Sequence, residues 1–111
     1  MHDSLAAVAG VDIVYSRNGQ AVELRAIQGR IDEEEFGLEA ASLQANLWAF
    51  IVKRDELVLV RNRIIPRLRD TIEVTKNGET TVYEVTDRLG ERCYRWVDQF
   101  QTLVRIFTVE T

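Results

Sequence analysis

"TIEVTKNGETTVYEVT", residues 71–86, is two β-type runs folded about Asn77-Gly78. Asn-Gly favours the type I′ turn because both central residues need positive φ, and that turn suits the right-handed twist of a hairpin. Ile72 and Val74 are answered across the turn by Tyr83 and Val85, whereas Thr71, Glu73, Thr75 and Glu84 fall on the opposite face. One face is made for a core and the other for water.

The same signature stands earlier in the chain. "VDIVYSRNGQAVELRAI", residues 11–27, flanks Asn18-Gly19 with two strand-like runs, and Val22, Leu24 and Ala26 alternate with Glu23 and Arg25. Between the hairpins, "DEEEFGLEAASLQAN" (32–46) holds good helix formers interrupted by Gly37, so it reads as a short helix or a long loop with one turn. "LWAFIV" (47–52) is apolar without alternation, as in a strand buried on both faces. "KRDELVLV" (53–60) predicts one helical turn at Arg54–Leu57 before a short strand, and Pro66 places an edge or loop ahead of the second hairpin.

The last third reads as two more strands, "ERCYRW" (91–96) and "TLVRIFTVE" (102–110), joined by "VDQFQ" (97–101). In its final strand Val104 and Ile106 share one face, and Leu103, Arg105, Phe107 and Val109 share the other. Both faces are largely apolar. Val104 and Ile106 are assigned to the core, and Phe107 and Val109 to a partner surface. Short strands with turn signals at regular spacing predict a mainly β fold, a small antiparallel β-barrel or sandwich with one or two short helices. A flexible amino-terminal arm is expected over residues 1–10. A single barrel domain follows over 11–111, carrying a long acidic loop at about 31–46.

Composition sets the function classes. A chain of 111 residues with 46% hydrophobic and 29% charged residues is long enough for one core without staples. The apolar run Leu47–Val52 is too short for a bilayer, so no membrane role is expected, and "MHDSLAAVAG" makes a poor signal peptide, pointing to an intracellular origin. Cys93 is the single cysteine, which excludes an internal disulfide and a thiolate-based zinc cluster; it reads as a small, half-buried side chain. His2 is the single histidine, so a histidine-based triad or metal site has no partner, and no glycine-rich phosphate loop is present. No enzyme and no cofactor are expected.

A net charge of -4 argues against tight binding to nucleic acid, but the charge is uneven. Asp32, Glu33, Glu34 and Glu35 stand in a row, and Arg61, Arg63, Arg67 and Arg69 crowd the middle with Lys53 and Arg54. The acidic run reads as a solvated loop, an inter-subunit contact or a channel lining. The arginines read as a solvated surface or as an inter-subunit or partner surface, since planar arginine suits paired, desolvated contacts.

The order "WAFIVKRDEL…IIPRLRDTIEV…TTVYEVTDR…YRWVDQFQTLVRIFTVE" resembles the head–tail joining proteins, of the head-completion or stopper type, of long-tailed bacteriophages and prophages. Members carry a short "DL"-like turn, a proline loop leading into a strand, a "YEV" strand, and a tryptophan ahead of a final strand with "RI.T". Those features fall here at Asp55–Leu57, Pro66–Ile72, Tyr83–Val85, Trp96 and Arg105–Thr108. The Gly-Asp step that relatives place before the strand is replaced by Leu68, Arg69 and Asp70, and stopper, adaptor and tail-completion roles stay open. The resemblance implies a subunit made in the host cytoplasm and carried in the virion, assembled as a hexameric ring beneath the portal and its adaptor. The ring would retain packaged DNA, let it pass without specific binding, and dock the tail. The rival from another class is a small nucleic-acid-binding β-barrel using Arg61, Arg63, Arg67 and Arg69.

Overall fold

The computed structural model describes residues 10–31, 47–87 and 92–111. Its strands, in chain order, are β1 (Gly10–Arg17), β2 (Gln20–Arg30), β3 (Leu47–Lys53), β4 (Val58–Leu59), β5 (Asn62–Arg63), β6 (Thr71–Lys76), β7 (Glu79–Val85), β8 (Tyr94–Trp96) and β9 (Leu103–Glu110). A single 3-10 turn, Arg54–Glu56, stands where one helical turn is predicted. Six strands close into an antiparallel barrel in the order β1, β6, β7, β9, β3, β2 and back to β1. The expected β-barrel is the fold. Of the expected amino-terminal arm, residues 1–9 lie outside the described residues, and Gly10 already belongs to β1. The acidic loop lies outside them too, apart from the buried Ile31.

Both Asn-Gly pairs make the turns their chemistry requires. Asn18 and Gly19 have φ of 50° and 84°, Asn77 and Gly78 of 53° and 83°, and Arg17 pairs with Gln20 and Lys76 with Glu79 around them. No atom would meet an added Cβ at Gly19 or Gly78. A glycine-to-alanine change there costs only the left-handed backbone penalty, about 1–2 kcal/mol. Gly19→Ala and Gly78→Ala should each lower stability by that amount, read as a lower urea midpoint at unchanged m-value, and leave the far-ultraviolet spectrum unchanged.

Alternation fills the barrel. Ile13 and Tyr15 of β1, Leu24 and Ala26 of β2, Phe50 and Val52 of β3, Ile72 and Val74 of β6, Tyr83 and Val85 of β7 and Val104 and Ile106 of β9 point inward and form one core cluster. Phe50 meets Tyr83 edge to face at 5.1 Å. Each large side chain so buried contributes about 1.5–3 kcal/mol relative to exposure.

The last strand does most of the closing. Along one edge β9 pairs with β3 from Leu103↔Lys53 to Val109↔Leu47. Its other edge is shared, with β8 against Val104–Ile106 and β7 against Thr108–Glu110. A second apolar cluster of Ile31, Leu47, Ala49 and Phe107, with Val109 packed against it, lies on the outward side of the β3–β9 wall. This explains why "LWAFIV" is apolar on both faces. It also corrects the reading of Phe107: at 1% exposure its ring is taken up by this cluster and is not available as a partner surface of the single chain. Val109 is half-buried beside it.

Candidate functional site

The register divides the barrel into two ends. One end carries the Asn18-Gly19 turn and the connections from β3 to β6 and from β7 to β9; the other carries the start of β1, the end of β9 and the Asn77-Gly78 turn. Ile31 and Leu47, which bracket the acidic run and are joined by an Ile31 N–H donating to the Leu47 carbonyl at 3.2 Å, lie at the second end. Asp32, Glu33, Glu34 and Glu35 themselves lie outside the described residues. Arg61, Arg63, Arg67 and Arg69 are all at the first end and exposed. The arginine loop therefore stands at the end of the barrel opposite Ile31 and Leu47.

The arginine loop is held by a buried carboxylate that the sequence did not single out. Tyr15 pairs with Ile72, so continuing the same register sets Arg17 opposite Asp70 just beyond β6. Asp70, 5% exposed, accepts the Tyr15 hydroxyl at 2.5 Å, Arg17 Nη2 at 2.8 Å and the Arg67 backbone N–H at 3.1 Å. Arg17 Nη2 also donates to the Ile65 carbonyl at 2.6 Å, and the Val85 N–H donates to the Asp70 carbonyl at 2.8 Å. Burial first, and then the carboxylate, push the Tyr15 phenol far above its ordinary value, so it stays a proton donor. The hydrogen bond to Asp70 raises Arg17 as well. The loop's backbone is clamped while its side chains face out.

Those outward side chains are not only charged. Among the described residues the exposed large hydrophobics are Val60, Ile65, Leu68, Val97 and Phe100, and all five lie on connections at this end. Apolar groups mixed with arginine are the composition of protein–protein contacts, where arginine and aromatics are enriched and lysine is depleted. The 97–102 connection is also pegged: Asp98 accepts the Thr102 hydroxyl at 2.5 Å, the Thr102 N–H at 2.9 Å and the Leu103 N–H at 3.1 Å. The Thr102 hydroxyl leads in holding its carboxyl below the ordinary range. The contribution is therefore present above the ordinary carboxylate value and fades as the pH falls through the lowered one.

The turn between β4 and β5 differs from the other two hairpins. Leu59 pairs with Asn62, so Val60-Arg61 is the whole turn, and both residues have positive φ, 50° and 70°. An Asn-Gly pair takes this conformation without strain; a β-branched residue does not.

Charge is also sorted around the wall. Asp12, Glu23, Glu73 and Glu84 alternate with inward residues and face out on β1, β2, β6 and β7, where Arg25 pairs with Asp12 at 3.5 Å. Lys53, Arg95 and Arg105 face out on β3, β8 and β9, beside a groove lined by Ile27, Ala49, Ile51 and Val97. β1 and β9 are three strands apart either way round the six-stranded barrel, so the acidic and basic arcs are centred on opposite sides.

Among the described residues no group of three or more His, Cys, Asp or Glu side chains is placed to hold a metal ion. Cys93 is buried, its thiol pushed up by burial and its Sγ 3.5 Å from the Pro66 carbonyl, so it packs rather than reacts. No helix among the described residues is long and apolar enough to cross a membrane.

A protein-family model described as phage head-tail joining protein matches residues 1–111, the whole chain. No curated protein and no solved structure matches.

Proposed function

The chain belongs to the phage head-tail joining protein family, whose members are structural proteins of the virion, and from that premise we propose that it works as a ring in the connector. The ring, hexameric by the family resemblance, sits below the portal and its adaptor, retains packaged DNA and presents a face on which the tail docks. The opposed charge of the two walls is the observation that carries this reading. Closing a ring of identical copies takes a heterologous contact, in which one face of a subunit meets a different face of the next. Glu23 and Glu73 on one wall and Arg95 and Arg105 on the other supply such a pair, and complementary charge fixes register and orientation. The filled barrel supports the same reading. A closed sheet of six strands has no lumen for a duplex, so DNA passes between copies around an axis and not through one subunit. In this arrangement the barrel ends face along the axis. The Arg61, Arg63, Arg67 and Arg69 end meets a neighbouring connector protein. For the acidic run Asp32–Glu35, which lies outside the described residues, the role proposed is a channel lining, where carboxylates give DNA phosphates nothing to hold.

The test uses DNA-filled heads that lack this protein. Wild-type chain should occupy them as a ring, retain the DNA and restore tail attachment. E23R/E73R and R95E/R105E should each lose occupancy at least tenfold while keeping a native circular-dichroism spectrum, and the four changes together should restore it. Wild-type occupancy by both double variants would overturn the wall contact. Absence of the wild-type chain from heads, with tight salt-sensitive binding to free DNA, would overturn the connector role and favour a nucleic-acid-binding barrel.

A further inference from the structure

We infer that the Val60-Arg61 turn is a docking tip, kept in a strained conformation because its side chains insert into the protein stacked on that end of the ring. The inference rests on the connector reading and names the contact within it. Among the described residues two of the two-residue hairpin turns are Asn-Gly, and a third, between β4 and β5, is Val-Arg, also with positive φ at both positions. Local sequence preference is thus satisfied at Asn18-Gly19 and Asn77-Gly78 and violated at Val60-Arg61. No packing gain offsets the violation: Val60 is 63% exposed and Arg61 is exposed. A backbone outlier without a use in the fold points to a use outside it, because strained residues persist where function holds them.

The tip has the right setting for that use. It lies at the end where Ile65 and Leu68 are also exposed, and the loop carrying those two is clamped by Asp70, so it projects from a rigid base. A compact β-branched group beside a guanidinium calls for an apolar pocket bordered by a carboxylate on the partner. The corresponding ends of all copies in a ring point the same way, so the partner is the neighbouring connector protein and not a second copy.

Replacing Val60-Arg61 by Asn-Gly (V60N/R61G) separates strain from function. The isolated variant should gain roughly 4–8 °C in Tm from relief of the turn. In the head assay the same variant should still occupy heads as a ring yet lose tail attachment at least tenfold, and V60N alone should reproduce most of that loss. A raised Tm with wild-type occupancy and tail attachment would overturn the docking role, as would loss of ring formation itself. A lowered Tm would overturn the strain argument. If the wild-type chain fails to occupy heads, the connector reading fails instead, and the Tm of V60N/R61G still reports on the strain.

Discussion

Asp70→Ala lowers stability by about 3–5 kcal/mol, the cost of removing one partner from a buried, hydrogen-bonded charge pair. The side chains of Arg17 and Asp70 are only 14% and 6% exposed, so solvent screens little of the loss. The change also leaves the Tyr15 hydroxyl buried without its acceptor, and that hydroxyl cannot ionise to relieve the cost. At about 4 °C per kcal/mol the melting temperature should fall by roughly 12–20 °C. Asp70→Asn, which keeps an acceptor but not the charge, should fall less. A second readout follows from the clamp: without Asp70 the Pro66 loop loses its Arg67 anchor, and trypsin should cut at Arg67 or Arg69 under native conditions. A variant that melts within a degree or two of wild type and resists trypsin would show that the loop is held by something other than this carboxylate.

Phe107→Ala should cost about 3–5 kcal/mol in the isolated chain, as for other buried phenylalanines. This decides between the two roles the residue has been given. If the ring closes the second apolar cluster with Ile31, Leu47 and Ala49, the loss appears as a lowered urea midpoint with no partner present. If the ring served a partner, the isolated chain would be indifferent and only assembly would weaken. Phe100→Ala is the counterpart, since Phe100 is 75% exposed. Its effect on the isolated chain should stay within about 0.5 kcal/mol, the range of surface changes. Together the two variants separate folding from docking.

The hairpins were legible because their chemistry is local. An Asn-Gly pair specifies positive φ at two successive residues, and alternation then tells which side chains face the core. The strand at Leu47–Val52 was legible for a related reason, since a run without alternation asks for cover on both faces. Phe107 shows where such reading stops. Alternation says that Phe107 points away from Val104 and Ile106, but not whether the chain itself covers the outer wall. Asp70 was hidden for another reason. In "RLRD" it looks like one more surface charge, and its role emerges only when the Tyr15↔Ile72 register is carried on to Arg17. The departure at Leu68, Arg69 and Asp70 from the Gly-Asp step also becomes clear. The aspartate is present, and Arg69 holds a φ of 77°, backbone that glycine enters without a Cβ penalty. The exposed Val60, Leu68 and Phe100 left a faint signal, as large apolar residues in segments without alternation.

The pairing of β9 governs the order in which this molecule can be made. Leu47 and Val109 meet about sixty positions apart, and until residues 103–110 arrive the β3 edge has no partner on that side. The two hairpins can form early from neighbouring residues, whereas closure waits for the two long-range pairings, β1 with β6 and β3 with β9, which carry the larger loop-closure entropy. Until β9 pairs, the β3 edge stays open to any other strand. The same pairing brings Phe107 onto the outer wall and β8 onto β9. Self-association before closure would trap open sheets edge to edge, so a subunit of this design is safest when its own last strand outruns its neighbours.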